Sequence, residues 1–205
     1  EYNGRVKKDF DNASALRVLA YSEGVVKNSN PFAAVLVNQI VSEEGLRVAN
    51  QADLERILKT NALSLRDHYE DSALVLRTED EPNKYLAKDL MAQVKARNPK
   101  AKMPAMIPLY ELDLVLDKDS PHKLRFNIKE NAQIFYDLPI LNKDGNFSSE
   151  DINEKTGLPK SVGENGYRHN YVANSGLHRL YLDGDLNSDS RSGCLTYSGD
   201  SGRVV

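Results

Sequence analysis

The sequence predicts an α+β protein, with helices concentrated before residue 100 and antiparallel strands after it. Apolar residues recur at helical spacing behind capping residues in the first hundred positions, and two later segments alternate strictly between apolar and polar. The composition also changes after residue 173. The 205 residues suffice for one domain or two small ones, read as a helical region over 1–65 and a mixed α+β region over 66–205.

The elements follow in order. "DNASALRVLAYSEGVVKNS" carries Leu16, Val18, Leu19, Val25 and Val26 behind an Asn12 or Ser14 cap and predicts a helix. In "NPFAAVLVNQIVSEEG", Asn30 caps, Pro31 opens the helix and Gly45 closes it. "NQADLERILK" places Asp53 three residues after Asn50, the spacing of a capping box. "SALVLRT" (72–78) is a short strand. "NKYLAKDLMAQVKARNP" has Leu86, Leu90 and Val94 at a spacing of four and stops at Asn98-Pro99. "LYELDLVLD" and "KLRFNIK" alternate in period two around "KDSPH" and predict a hairpin with one buried face. "QIFYDLPIL" reads as a strand leading to a turn at Asp144-Gly145, and "SEDINEKTGLP" as a short helix or loop. From Arg179 to Leu186 the chain alternates again. Leu180, Leu182 and Leu186 are expected to be buried, with Val204 further on, and Tyr181, Asp183 and Asp185 exposed on a strand.

Composition excludes several classes. Hydrophobic residues make up 40% and charged residues 28%, which fits a soluble globular chain. The net charge of −3 gives no electrostatic reason to expect nucleic acid. No apolar run reaches the roughly 18–20 residues of a membrane helix, so no membrane insertion is expected. The single cysteine, Cys194, rules out an internal disulfide and has no sequence-near base to activate it. His68, His122, His169 and His178 show no zinc spacing, and His122 is expected at the surface after Pro121. Asp183, Asp185, Asn187 and Asp189 suggest a calcium loop, yet the sixth and twelfth positions are Ser188 and Cys194 rather than Gly and Glu. "NKDGNFSSED" also lacks a full ligand set. No phosphate loop, dinucleotide fingerprint or nucleophile elbow occurs. The expectation is no enzyme, no metal and no cofactor.

Residues 174–205 contain no Lys, Glu, Gln, Met or Trp, whereas 35 such residues stand in the preceding 173. What remains is Asn, Ser, Asp, Gly, Tyr, His, Arg, Cys and Thr in a Leu/Val frame. Changing the adenines of an Asn codon that ends in a pyrimidine reaches all of these, and none of the five missing types. The stretch "SGLHRLYLDGDLNSDSRSGCLTYSGDSGRVV" thereby resembles the variable region of a diversity-generating retroelement protein, most closely those of gut Bacteroidetes and their phages. The chain lacks the tryptophans and the Gly-Gly-Ser-Trp-like stretch that many such proteins carry.

The resemblance implies a C-type-lectin-like fold over 66–205 that displays a hypervariable ligand-binding surface on a cell or virion. Its partner would be a protein or glycan ligand on a cell surface, with oligomerisation left open. The implied variable sites are His178, Tyr181, Asp183, Asp185, Asn187, Asp189, Arg191, Ser192, Cys194, Thr196, Tyr197, Gly199, Asp200 and Ser201. The implied frame is Leu177, Leu180, Leu182, Leu186, Leu195, Gly202, Arg203, Val204 and Val205. His178, Tyr181, Asp183, Arg191, Tyr197 and Asp200 are expected to share one solvent-facing patch, with the tyrosines as anchors. The alternative is a structural or assembly protein of a virion or cell surface, with the same run as an ordinary polar hairpin.

Overall fold

The computed structural model describes residues 1–17, 19–22, 25–27 and 29–197. It is an α+β fold. A six-stranded sheet in the order β4-β3-β9-β10-β8-β7 is antiparallel except where β10 runs parallel to β8. Its strands are β3 (Glu70–Leu76), β4 (Ala105–Pro108), β7 (Gly145–Phe147), β8 (Arg168–Val172), β9 (Leu177–Leu182) and β10 (Ser188–Ser190). Two short hairpins stand apart from it, β1 (Ala20–Ser22) with β2 (Val25–Lys27), and β5 (Leu112–Leu116) with β6 (Leu124–Ile128). The helices are α1 (Tyr2–Asp9), α2 (Pro31–Ser42), α3 (Gln51–Thr60) and α4 (Lys84–Arg97).

The capping signals act as read. The Asn30 side chain accepts from Ala33 N–H, and Pro31 occupies the first turn of α2. Asn50 and Asp53 close a reciprocal capping box on α3. Leu86, Leu90 and Val94 of α4 are buried, and each such side chain contributes about 1.5–3 kcal/mol when removed from water. Helix α2 is buried on nearly all sides because the β5–β6 hairpin lies on one flank and β3 on another. Its polar residues tie down loops: Asn38 donates to Tyr110 C=O and accepts from Val48 N–H, and Gln39 accepts from Leu114 N–H. Phe32 stacks on Phe126 at 4.7 Å, joining α2 to β6. One core runs from Val6 to Leu195 through α2, α4, the hairpin and one face of the sheet. The opposite face meets a second cluster of Ala73, Val75, Met106, Leu141, Leu158 and Leu180. A third gathers Leu54, Leu65 and Leu182 beside α3.

Several expectations are corrected. The helix predicted behind Asn12 is a short 3-10 turn, Ser14–Leu16, followed by β1 and β2. Asp11 and Asn12 take the left-handed conformation instead of capping, and the Tyr21 and Val25-Val26 stretches favour strand over helix. "QIFYDLPIL" makes only one bridge, Phe135 to Met106, before a 3-10 turn at Pro139–Asn142, since Pro139 cannot donate to a ladder. Asp144-Gly145 leads directly into β7, with no hairpin turn there. His122 is half-buried, with its ring edge against Phe32 at 5.4 Å.

Candidate functional site

Strand β9 lies at the centre of the sheet, between β3 and β10, and all its residues but Tyr181 are buried. Leu177, Arg179 and Tyr181 point to one side; His178, Leu180 and Leu182 point to the other. Leu180 and Leu182 are buried as expected, and Tyr181 is half-buried. His178 is only 3% exposed, on the side opposite Tyr181, so the expected shared patch does not include it. Period-two alternation separates core from solvent only in a strand with one free face, and β9 buries both sides from Leu177 to Leu180.

The side carrying Tyr181 becomes polar beyond the helices. Asp71 of β3 pairs with Tyr181, Tyr181 with Asp189 of β10, Asp189 with Tyr171 of β8, and Asn146 of β7 with His169 of β8. Directly paired residues share a face, so these side chains form a row across five strands. Arg179 holds Asp71 through two bonds of 2.7 Å, and both side chains are buried. The Arg179 guanidinium lies 4.8 Å over the Tyr181 ring and donates to Tyr197 C=O at 3.4 Å. Tyr69 tilts against Tyr181 at 6.1 Å. Burial, reinforced by the Asp189 carboxylate, pushes the Tyr181 hydroxyl up, so it stays a hydrogen-bond donor.

Further along the row, Arg191 packs 3.6 Å over Tyr171 and bonds Asp189 through Nη2 at 2.7 Å. That bond raises the Arg191 guanidinium above its ordinary value. Tyr171 meets the His169 ring at 4.2 Å. His169 in turn lies 2.7 Å from both Asn146 Oδ1 and Asp144 Oδ1. The result is a surface of tyrosines, arginines and carboxylates in which the buried ion pairs fix the side chains above them.

The other implied variable sites lie off this row or build turns. Asp183 accepts from Asp185 N–H, Asn187 N–H and Asn187 Nδ2, closing the β9–β10 connection. Asp185 is exposed, in that turn rather than on a strand, and Leu186 is half-buried in the left-handed conformation. Asn187 accepts from His169 N–H. Asp189, expected at the surface, is 3% exposed because Tyr181, Tyr171 and Arg191 surround it. Ser192 is half-buried, and its carbonyl accepts from Arg179 N–H. Cys194 is exposed, Leu195 is buried, Thr196 is half-buried and Tyr197 is exposed. Gly199, Asp200, Ser201, Gly202, Arg203, Val204 and Val205 lie outside the described residues.

Sequence reasoning missed β8 with His169 and Tyr171, although "RHNYV" alternates weakly between Arg168, Asn170 and Val172 on one side and His169 and Tyr171 on the other. It also missed a buried polar cluster behind β9. There the Arg77 guanidinium donates to Leu141 C=O at 2.6 Å and Ser190 Oγ at 2.7 Å and approaches His178 Nδ1 at 3.5 Å. Burial pushes Arg77 down to about 10. Burial, then the Arg77 charge, pushes His178 down to about 4. A cleft of about 790 Å³ opens between α3 and residues 149–160, over the buried Arg168–Glu55 pair. Among the described residues of 174–205 it touches only Leu186, and its lining is basic on balance, with Arg56, Lys59, Arg66, Lys160 and Arg168 against Glu55, Glu150 and Glu154.

Among the described residues no group of three or more metal-ligating side chains occurs, and no helix is long and apolar enough to cross a membrane. No family model, curated protein or solved structure matches the chain.

Proposed function

We propose that this chain is a ligand-binding display protein whose contact surface is the polar row across β9, β10 and β8. In this reading Tyr181, Asp189 and Arg191 belong to a segment varied at adenines, and the ligand is carried by a cell surface. The C-type-lectin-like description of 66–205 travels with the reading and rests on the same resemblance, while the expectation of no catalysis rests on the catalytic motifs that the sequence lacks.

One observation carries it. Three residues of the compositionally biased segment, ten positions apart at most, converge with Tyr171 and His169 on one sheet face. Tyrosine and arginine supply the contact area and fixed donors that protein-binding surfaces favour. The buried Arg179–Asp71 pair and the leucines behind it hold the surface, so outward side chains can change while the scaffold stays.

Sequencing the DNA around the segment tests the diversification. The expected result is a second, non-coding copy whose differences fall only on adenines, with AAC or AAT codons opposite positions such as Tyr181, Asp189 and Arg191. A genome without such a copy, or with differences spread over all bases, removes the reading.

A further inference from the structure

We infer that Arg191 is a preorganised receptor for a single carboxylate, supplied by an Asp or Glu side chain of a protein partner. The inference rests on the display reading of this face and names the chemistry the face recognises.

Arg191 is held on three sides. Its ring-like guanidinium plane lies 3.6 Å over Tyr171. Its Nε and Nη2 face the Asp189 carboxylate at 3.3 and 2.7 Å. Its backbone N–H donates to the same carboxylate at 2.8 Å, which fixes the start of the side chain. Asp189 cannot swing away, because it is 3% exposed and wedged beside Tyr181 and Tyr171. An ordinary surface arginine loses its rotamer freedom on binding; this one has lost most of it already.

The Nε/Nη2 edge is thus occupied, and the end of the fork is not. Among the described residues Nη1 has no hydrogen-bond partner, and the side chain is 51% exposed. Nη1 with the second Nη2 hydrogen matches the two oxygens of a carboxylate. A polyanion suits the site poorly, since Asp189 cancels the Arg191 charge and Asp144 stands on the far side of His169. The surroundings favour a protein as the source: half-buried Tyr171 lies under the guanidinium, and half-buried Tyr181 pairs with Asp189 beside it. Such tyrosines pack against side chains and exclude water around a charged contact.

The test is a nuclear magnetic resonance titration of the whole chain, read at the Arg191 Nε–H signal and the Tyr171 ring. Because Asp189 holds Nε–H, its exchange with water is slowed and the signal is observable. The probes are N-acetyl-glutamate N-methylamide, the matching glutamine compound, and N-acetylneuraminic acid. The expected result is a saturable shift with the glutamate compound, at least about tenfold tighter than with the glutamine compound. Arg191→Lys, which keeps the charge and loses the fork, should abolish saturation while its backbone spectrum stays folded. Tyr171→Leu should weaken it, since the platform is gone. Equal response to glutamate and glutamine, no saturable response, or unchanged binding in Arg191→Lys overturns the carboxylate assignment. Saturation by N-acetylneuraminic acid alone overturns the protein source and makes the ligand an acidic sugar. The DNA test of the display reading is independent of all of these, so the two can fail separately.

Discussion

His178 has a guanidinium 3.5 Å from its ring and almost no solvent around it. In the unfolded chain it takes up a proton near its ordinary value of 6.5, and in the folded chain only near 4. Its stabilising effect is therefore complete above about pH 6.5 and is lost as pH falls toward 4, by about 3 kcal/mol in total. Urea unfolding at pH 7 and pH 4.5 should show this loss, and His178→Gln should show a flatter dependence. Equal slopes in the two proteins would mean that the ring is protonated in the fold. The buried Arg168–Glu55 pair makes a second residue-scale case. Glu55→Ala strands the guanidinium at 5% exposure and should cost about 3–5 kcal/mol, measured by chemical denaturation. Arg168→Met with Glu55→Leu, which removes both charges, should cost much less.

Among the elements, α2, α3, α4 and the β5–β6 hairpin were legible because their signals are local. A cap, a period and a proline decide each within a few residues. What was not legible depended on partners far along the chain. The alternation of 179–186 identified a strand as far as Leu182, with Leu180 and Leu182 buried, and extended it wrongly over the turn at 183–186. It could not tell that β3 and β10 would flank that strand and that both His178 and Arg179, on opposite sides of it, would be buried. The misplacement of His178 and Asp189 follows from that. Likewise β8 carries its signal in the pairing with β7 and β10, which no local pattern contains. Strand β9 and the turn after it accordingly differ in tolerance. Leu180→Ala should cost about 2–5 kcal/mol, whereas Asp185→Ser, in the exposed turn, should stay within about 0.5 kcal/mol. At the start of α3, Asn50→Ala removes half of the capping box and should cost about 1 kcal/mol. Thermal melts of the three variants check the ranking.

For the whole molecule, the proposed display segment is also a structural one. Replacing Asp185, Cys194 and Tyr197 together by Ser should leave the melting temperature within a few degrees, because all three side chains are exposed. Adding Asp189→Ser should lower it further, since Tyr181 and Arg191 lose a shared buried partner. If the four-site variant melts with the three-site one, Asp189 is a surface residue in effect and the row is looser than its distances indicate.

The order of strands has a consequence for how this protein is made. On one side of β9–β10 stand β3 and β4, on the other β7 and β8, and the two pairs share no edge. All four leave the ribosome before residues 177–190, so the nascent chain carries two unjoined half-sheets until the strands that belong between them emerge. Each half offers a bare edge to neighbouring chains during that interval. In the display reading, a newly shuffled segment must then insert between waiting halves before it can meet any ligand. Completion of the sheet would screen each variant first, and only those that insert would present a surface to a target.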